Sequence, residues 1–103
     1  MQLILEDGTT WHFPNPSAIR NGLAQVNGED NSFIVLEASE MTYMQAVGSV
    51  ADGFTVEYQD GDISRHYQAQ TVCSFEQTAI LFEQYAGGDT AWLNAVSWQL
   101  IKI

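Results

Sequence analysis

The stretch Phe54-Thr-Val-Glu-Tyr-Gln-Asp-Gly-Asp-Ile-Ser-Arg-His-Tyr67 constrains the fold more than any other part of this sequence. Apolar and polar residues alternate on both sides of Asp60-Gly61, a dipeptide that favours a two-residue type I′ turn. An apolar face is then expected from the pairs Tyr58 with Ile63, Val56 with Arg65 and Phe54 with Tyr67, and a polar face from Glu57 with Ser64 and Thr55 with His66. The hairpin therefore predicts an antiparallel sheet that is covered on one face and presents a polar face to solvent.

Similar turn signals predict further short strands. Asp7-Gly8 separates two apolar runs, so a first hairpin is expected there, with Trp11 and Phe13 on one face. The run Phe33-Ile-Val-Leu-Glu37 predicts a strand that is buried on both faces at its start. The other predicted strands are Tyr43–Val47 and Ala95–Ile103, whereas Ala91-Trp-Leu93 is expected to form a turn. Short strands joined by tight turns favour an antiparallel meander over a parallel sheet.

Two helices are predicted between the strands. Asn15 and Pro16 suit an N-cap and a first helical position, and apolar residues at helical spacing follow as far as a stop at Gly28. A second helix begins at Ser74, which forms a capping-box pattern with Gln77, and ends at Gly87-Gly88. We therefore predict a single α+β domain over residues 1–103, an antiparallel meander sheet of about six strands with two helices packed on one face.

The charge balance is strongly acidic and restricts the expected partners. Thirteen Asp and Glu residues against three Lys and Arg give a formal net charge of −10 at pH 7. Such a surface repels phosphate backbones and anionic lipid, so neither nucleic acid nor a membrane is an expected partner. The same charge accelerates association with a basic protein, although an acidic excess also serves solubility alone.

Cysteine usage and the first residues favour a cytoplasmic protein. Cys73 is the single cysteine, so no internal disulfide can form, which suits a reducing compartment. The start Met1-Gln-Leu-Ile-Leu-Glu-Asp7 has no basic region and too short an apolar run for a signal peptide. No stretch of the sequence has the length needed to span a bilayer. We expect a soluble, cytoplasmic protein.

The sequence predicts neither a catalytic nor a metal site. His12 and His66 stand far apart, and neither HExxH nor CxxC spacing occurs. Cys73 lies beside apolar residues and is predicted to be a small core residue and not a nucleophile. Glu57 and His66 lie close together on the polar face of the hairpin, where a cross-strand ion pair is a simpler interpretation than acid–base catalysis. We therefore predict no enzyme activity, no cofactor and no metal.

Arg65 and Trp92 have unusual predicted positions. The hairpin register places Arg65 on the apolar face, where its stem would lie over aromatic rings while the guanidinium reaches an acidic residue or the sheet margin. Tryptophans of a small domain usually lie in the core, but Trp92 occupies a connection bounded by glycine. Trp92 is therefore predicted to be the tryptophan that contacts a partner.

Several short motifs follow one another between residues 33 and 98. They are Val35-Leu36-Glu37, Tyr43-Met-Gln45-Ala, Phe54-Thr-Val-Glu57-Tyr58-Gln-Asp-Gly61, His66-Tyr67 and Phe82-Glu-Gln-Tyr85-Ala-Gly-Gly-Asp89-Thr-Ala-Trp92. Their serial order resembles the Imm1 family of immunity proteins from bacterial polymorphic-toxin systems. The first hairpin and the first helix carry no matching motif.

This resemblance implies a small α+β protein that binds a cognate toxin, deaminase-like or nuclease-like, and blocks its action in the producing cell. Glu57, Tyr58, His66 and Tyr67 would occupy the sheet motif of the family, and Asp89 and Trp92 the segment after the second helix. The leading hypothesis is therefore stoichiometric occlusion of a basic protein toxin. Candidate contacts are Thr55, Glu57, Gln59, Ser64, His66 and Gln68 on the exposed face, Glu29 and Asp30 in an acidic loop, and Trp92.

Two rival interpretations remain open at this point. The first is a small enzyme with a pocket between the helices and the sheet, in which Glu57 or His66 carries a proton. The second is a homodimeric structural or assembly subunit, in which the edge strand Ala95–Ile103 pairs with a second copy of the chain.

Overall fold

A computed structural model of the chain describes residues 1–102. Within them the chain forms seven strands, three α-helices and one short 3-10 turn. In chain order they are β1 (Gln2–Leu5), β2 (Thr10–His12), α1 (Pro16–Ala24), β3 (Phe33–Ser39), β4 (Thr42–Ser49), β5 (Gly53–Asp60), the 3-10 turn (Ile63–Arg65), β6 (His66–Ala69), α2 (Phe75–Ala86), α3 (Trp92–Ala95) and β7 (Trp98–Ile101).

All seven strands belong to one antiparallel sheet with the order β2-β1-β3-β4-β5-β6-β7. Strands β3 to β6 form a continuous meander, α1 connects the first hairpin to it, and α2 and α3 precede β7. The predicted α+β class and antiparallel meander are confirmed, with seven strands where about six were expected. The last strand is shorter than the predicted 95–103 segment, whose final residue, Ile103, lies outside the described residues.

The helix starts follow the capping signals in the sequence. The Asn15 side chain accepts a hydrogen bond from the N–H of Ala18 at 2.8 Å, and Pro16 occupies the first helical position. Ser74 and Gln77 form the predicted reciprocal capping box. The first helix ends at Ala24, before the predicted stop at Gly28, and the predicted turn at 91–93 lies largely within α3.

The core lies between one face of the sheet and the helices. Leu3, Leu36, Met44 and Phe54 from the sheet are fully buried against Ile19 and Leu23 of α1 and Ala79 and Phe82 of α2. Gly22 allows α1 to approach the sheet, because a Cβ there would lie 2.9 Å from Cδ1 of Ile34 and 3.3 Å from the Trp11 ring. All helices therefore cover the same face of the sheet, as predicted.

The central hairpin has a longer connection than predicted. The observed pairs are Glu57–Gln68, Tyr58–Tyr67 and Gln59–His66, so the predicted pairs of Tyr58 with Ile63, Val56 with Arg65, Phe54 with Tyr67, Glu57 with Ser64 and Thr55 with His66 are wrong. The cause is Asp62, whose side chain accepts a 2.9 Å hydrogen bond from the Ser64 N–H and caps the 3-10 turn. Since the pairing differs by an even number of residues, both strands still keep their predicted faces.

Four other side chains differ from their predicted places. Trp11 pairs with Leu3 and packs against the core, whereas Phe13 lies beyond β2 with φ of 52° and is 84% exposed. Phe33 and Val35 are half-buried on the face away from the helices, so β3 is buried on one face and not on both. Arg65 is exposed in the 3-10 turn instead of lying on the apolar face, although its guanidinium pairs with an acidic residue, Asp60, as expected.

Candidate functional site

The helices of the described fold leave the opposite face of the sheet uncovered; this face is termed the open face. Alternation along the strands and the cross-strand pairs place its side chains together. Its central part consists of Ile4 on β1, Phe33, Val35 and Glu37 on β3, Tyr43, Gln45 and Val47 on β4, Thr55, Glu57 and Gln59 on β5, and His66 and Gln68 on β6. Apart from Gln59 and His66, these side chains are half-buried or exposed.

One end of the open face is apolar. Ile4 lies opposite Val35, and Phe33 lies opposite Val47, which is 42% exposed on the central strand. Sequence reasoning missed these residues because it treated the β3 run as buried on both faces. The signal was present, since a strand with apolar residues at both odd and even positions must expose one set when only one face is covered. Apolar side chains surrounded by polar ones are typical of the centre of a protein–protein interface.

The other end of the open face contains a hydrogen-bonded polar network around His66. His66 Nε2 lies 2.6 Å from Glu57 Oε1, and His66 Nδ1 lies 3.1 Å from Gln59 Oε1. The hydroxyl of Tyr43 also donates to Gln59 Oε1, at 3.3 Å. His66 and Gln59 are each only 3% exposed, so the predicted exposure of these two residues is wrong. Their burial is tolerated because their polar atoms find hydrogen-bond partners in Glu57, Tyr43 and the backbone carbonyl of Met41.

The orientation of Gln59 determines which atom of His66 donates. The Gln59 Nε2 group donates to the backbone carbonyl of Met41 at 3.1 Å, which directs Oε1 towards the imidazole. His66 Nδ1 must then donate to Gln59, while Nε2 faces the carboxylate of Glu57. The network therefore fixes the side chain of Glu57 at the open face.

The other residues predicted from the sequence to contact a partner lie in three different places. Thr55 and Gln68 are half-buried on the open face, as expected, and Ser64 is exposed in the 3-10 turn at its border. Trp92 lies on the helix side of the sheet and is 9% exposed, so its predicted exposure is wrong. It is buried because Tyr58, Tyr85 and Trp98 pack around it with ring centroids 4.7, 5.3 and 5.9 Å away.

Glu29 and Asp30 lie in an exposed loop before β3, next to the apolar end of the open face. The Asn27 amide donates to Asp30 at 2.8 Å and thereby holds the loop. Two further carboxylates, Glu6 and Asp7, lie beside this loop through hydrogen bonds with Ser32 and Asn31. Hydrogen bonds from Ser32 lower the pKa of Glu6, and the Thr9 N–H lowers the pKa of Asp7, so both are ionised at neutral pH. The loop thus forms an acidic border.

The arginines do not offset this acidic border. Arg20 on α1 binds Glu76 at 2.7 Å and Glu83 at 3.1 Å on α2, on the helix side of the molecule. Arg65 pairs with Asp60 at the end of the hairpin. Both arginines are thus engaged with carboxylates of the chain, and the formal charge of −10 leaves a surface that attracts basic partners.

A cavity of about 190 Å³ lies on the helix side, between the ends of α2 and α3 and the sheet. It is termed the aromatic cavity and is lined by Thr42, Tyr58, Gln59, Asp60, Tyr67, Tyr85, Trp92 and Leu93. Glu57 and His66, the predicted proton carriers of the enzyme interpretation, do not line it. A pocket between helices and sheet therefore exists, but it lacks the two residues assigned to it from the sequence.

No group of three or more His, Cys, Asp or Glu side chains within residues 1–102 is arranged to bind a metal ion. Cys73 is fully buried, and burial raises the pKa of its thiol, which disfavours the reactive thiolate. No helix in this part of the chain has the length and apolar character required to cross a bilayer. Protein-family models, curated proteins and solved structures were compared with the chain, and none matches it.

Proposed function

We propose that this protein is an immunity protein that binds a cognate bacterial toxin, deaminase-like or nuclease-like, and neutralises it by occluding its active site. The observation that carries the proposal is the open face, a broad sheet surface with an apolar end, a fixed polar end and an acidic border. The motif order that resembles the Imm1 family supports the same function. Binding needs no reaction centre on this chain.

The open face has the composition of a binding surface. Phe33 and Val47 supply apolar area at one end of it, and Tyr43 adds an aromatic ring at the polar end of β4. Glu57 presents a carboxylate whose position is fixed by His66, so little side-chain entropy is lost when a partner pairs with it. Such an arrangement favours a partner with a basic, partly apolar surface.

The acidic border contributes mainly to the rate of encounter. Glu6, Asp7, Glu29 and Asp30 gather negative charge at one end of the open face. Complementary charge raises association rate constants above the neutral value of about 10⁵–10⁶ M⁻¹s⁻¹, and the gain falls with added salt. Reversing the charges of Glu29 and Asp30 together should therefore slow association at low salt and have little effect at high salt.

The proposal is tested by co-expression with the toxin encoded beside this protein. The expected result is rescue of growth together with a stable 1:1 complex on size exclusion. Val47→Arg should prevent both, because it puts a charged side chain in the apolar end of the open face. Ser17→Arg adds the same charge on an exposed position of α1 and should leave both intact. Rescue without a complex, or equal loss in the two variants, would contradict occlusion through the open face.

The self-assembly interpretation has one supporting observation. Strand β7 is an edge of the sheet, so its outer backbone groups are available for pairing with another strand. If the chain assembles through β7, light scattering should show a stable dimer in the absence of any toxin, and a substitution in β7 should dissociate that dimer. A monomer under the same conditions favours the immunity function.

A further inference from the structure

The aromatic cavity has a lining that differs from that of an ordinary core void. Four of its eight lining residues are Tyr58, Tyr67, Tyr85 and Trp92, and a carboxylate, Asp60, stands at its exposed rim. The volume of about 190 Å³ exceeds the ~150 Å³ of a cavity that accommodates benzene. A group of several heavy atoms therefore fits within it.

The rings are held by one another, so the lining is preformed. Tyr58 stacks on Tyr67 with centroids 4.8 Å apart and an interplanar angle of 15°, and Trp92 meets Tyr58 edge-on at 4.7 Å. Tyr85 packs against Trp92 at 5.3 Å. Several electron-rich aromatic rings around one cavity are the arrangement with which proteins recognise organic cations.

Two polar features of the cavity favour the same kind of ligand. The hydroxyl of Tyr85 is buried and has no hydrogen-bond partner within residues 1–102, so a bound group with an N–H donor would satisfy it. Burial is the main cause that raises the pKa of Tyr85 to about 12, and the negative charge of Asp60 is the second cause. The pKa of Tyr58 is also raised, mainly by burial, then by Tyr67 and then by Asp60. The carboxylate is thus close enough to act on both hydroxyls.

The net charge at the rim of the aromatic cavity is negative even when Arg65 is included. The segment 60–65 carries the carboxylates of Asp60 and Asp62 and the guanidinium of Arg65. Arg65 bonds to Oδ2 of Asp60 and is itself exposed, outside the lining of the cavity. An anion would be repelled by this rim, and a neutral ligand would gain nothing from it.

We infer that the aromatic cavity binds an organic cation with N–H donors, a guanidinium or primary ammonium group. The rings supply cation–π attraction, Asp60 supplies charge, and Tyr85 accepts a hydrogen bond. The cation belongs either to an Arg or Lys side chain of a protein partner or to a free small amine. Gln59 borders both this cavity and the open face, but the other lining residues lie on the helix side of the sheet, and the inference does not depend on the immunity function.

The first test compares a cation with its neutral isostere. The protein is titrated with n-propylguanidinium and with n-propylurea while the NMR signals of the Trp92 indole N–H and the methyl groups of Leu93 and Thr42 are followed. We expect saturable shifts with the guanidinium and at least tenfold weaker binding of the urea. Equal binding of the two ligands, or no saturation by propylguanidinium up to 100 mM, refutes the inference.

Matched variants then test the roles of Asp60 and Tyr85 in binding the cation. Asp60→Asn should weaken propylguanidinium about fivefold, whereas Asp62→Asn removes the same charge two residues away and should have a smaller effect. Tyr85→Phe keeps the ring but not the hydroxyl, so it should weaken propylguanidinium about threefold and leave tetramethylammonium, which has no N–H donor, unchanged. Equal losses in the two Asp variants, or equal losses for both cations in Tyr85→Phe, contradict these assignments and the site built from them.

A last comparison identifies the source of the cation. Nα-acetyl-arginine N-methylamide carries the same guanidinium on a peptide backbone. Binding as tight as that of propylguanidinium supports a side chain of a partner as the occupant, and binding at least tenfold weaker supports a free amine. Because no toxin is present in any of these titrations, failure here leaves the co-expression test of the immunity function unaffected.

Discussion

Glu57→Gln tests the polar network of the open face most directly. The substitution keeps the size of the side chain and an oxygen within hydrogen-bond distance of His66 Nε2, but it removes the negative charge. His66 is 3% exposed, so water does not compensate for the lost charge. A hydrogen bond to a charged group contributes about 1.5–3 kcal/mol and a neutral one about 0.5–1.5 kcal/mol. We therefore expect the free energy of unfolding to fall by about 1–1.5 kcal/mol.

Urea unfolding followed by tryptophan fluorescence measures this change. In a domain of this size the same loss lowers the melting temperature by about 4–12 °C. Glu37→Gln is the matched control, because Glu37 lies on the same face opposite Tyr43 and should change stability by less than about 0.5 kcal/mol. In a His66→Asn background the effect of Glu57→Gln should become equally small.

Two outcomes refute the reasoning. The first is a Glu57→Gln protein as stable as the parent, which would mean that the 2.6 Å contact contributes no more than a neutral hydrogen bond. The second is a Glu37→Gln protein that is destabilised equally, which would point to a general effect of charge on the open face. Either outcome would remove the argument that Glu57 is fixed for partner binding.

Two further predictions concern the backbone and the alkaline range. Gly48→Ala should lower the free energy of unfolding in urea by more than about 2 kcal/mol. The reason is that Gly48 has φ of 142° and a Cβ there would lie 2.1 Å from the carbonyl oxygen of Gly53. A smaller loss of stability would mean that the β4–β5 turn can rearrange. The pKa of Tyr85 is about 12 in the folded state and 10.0 in the unfolded state. The contribution of neutral Tyr85 to the free energy of unfolding is therefore complete below pH 10 and falls by about 2–3 kcal/mol as the pH rises to 12. The unfolding free energy of Tyr85→Phe should therefore decline less steeply than that of the parent between pH 10 and 12, and parallel declines would contradict the assignment.

Local signals predicted much of the fold. The Asn15-Pro16 and Ser74–Gln77 caps place both long helices correctly at their starts, because a cap depends on residues within one turn. The faces of the central strands were also predictable, since alternation survives any even change of register. The pairing itself was not, because the Asp62 cap lengthens the turn and competes with the Asp60-Gly61 signal.

The candidate site was predictable only in part. Thr55, Glu57 and Gln68 lie on the open face because their strand positions fix their direction. The burial of Gln59 and His66 depends on hydrogen bonds that Gln59 makes with Met41, in the β3–β4 turn, and with Tyr43 on β4, and these partners leave no local pattern. The burial of Trp92 likewise depends on rings that are distant in sequence. The lining of the aromatic cavity comes from five separate elements, so no single sequence motif predicts it.

The alternation of side chains in β4 separates the residues that pack the core from the residues that are available for recognition. Met44 and Ala46 pack under the helices, while Gln45 and Val47 point the other way. Substitutions at the second pair leave the packed layer untouched and cost little stability. Descendants of this chain could thus acquire new recognition properties one residue at a time while the scaffold that they inherit continues to fold.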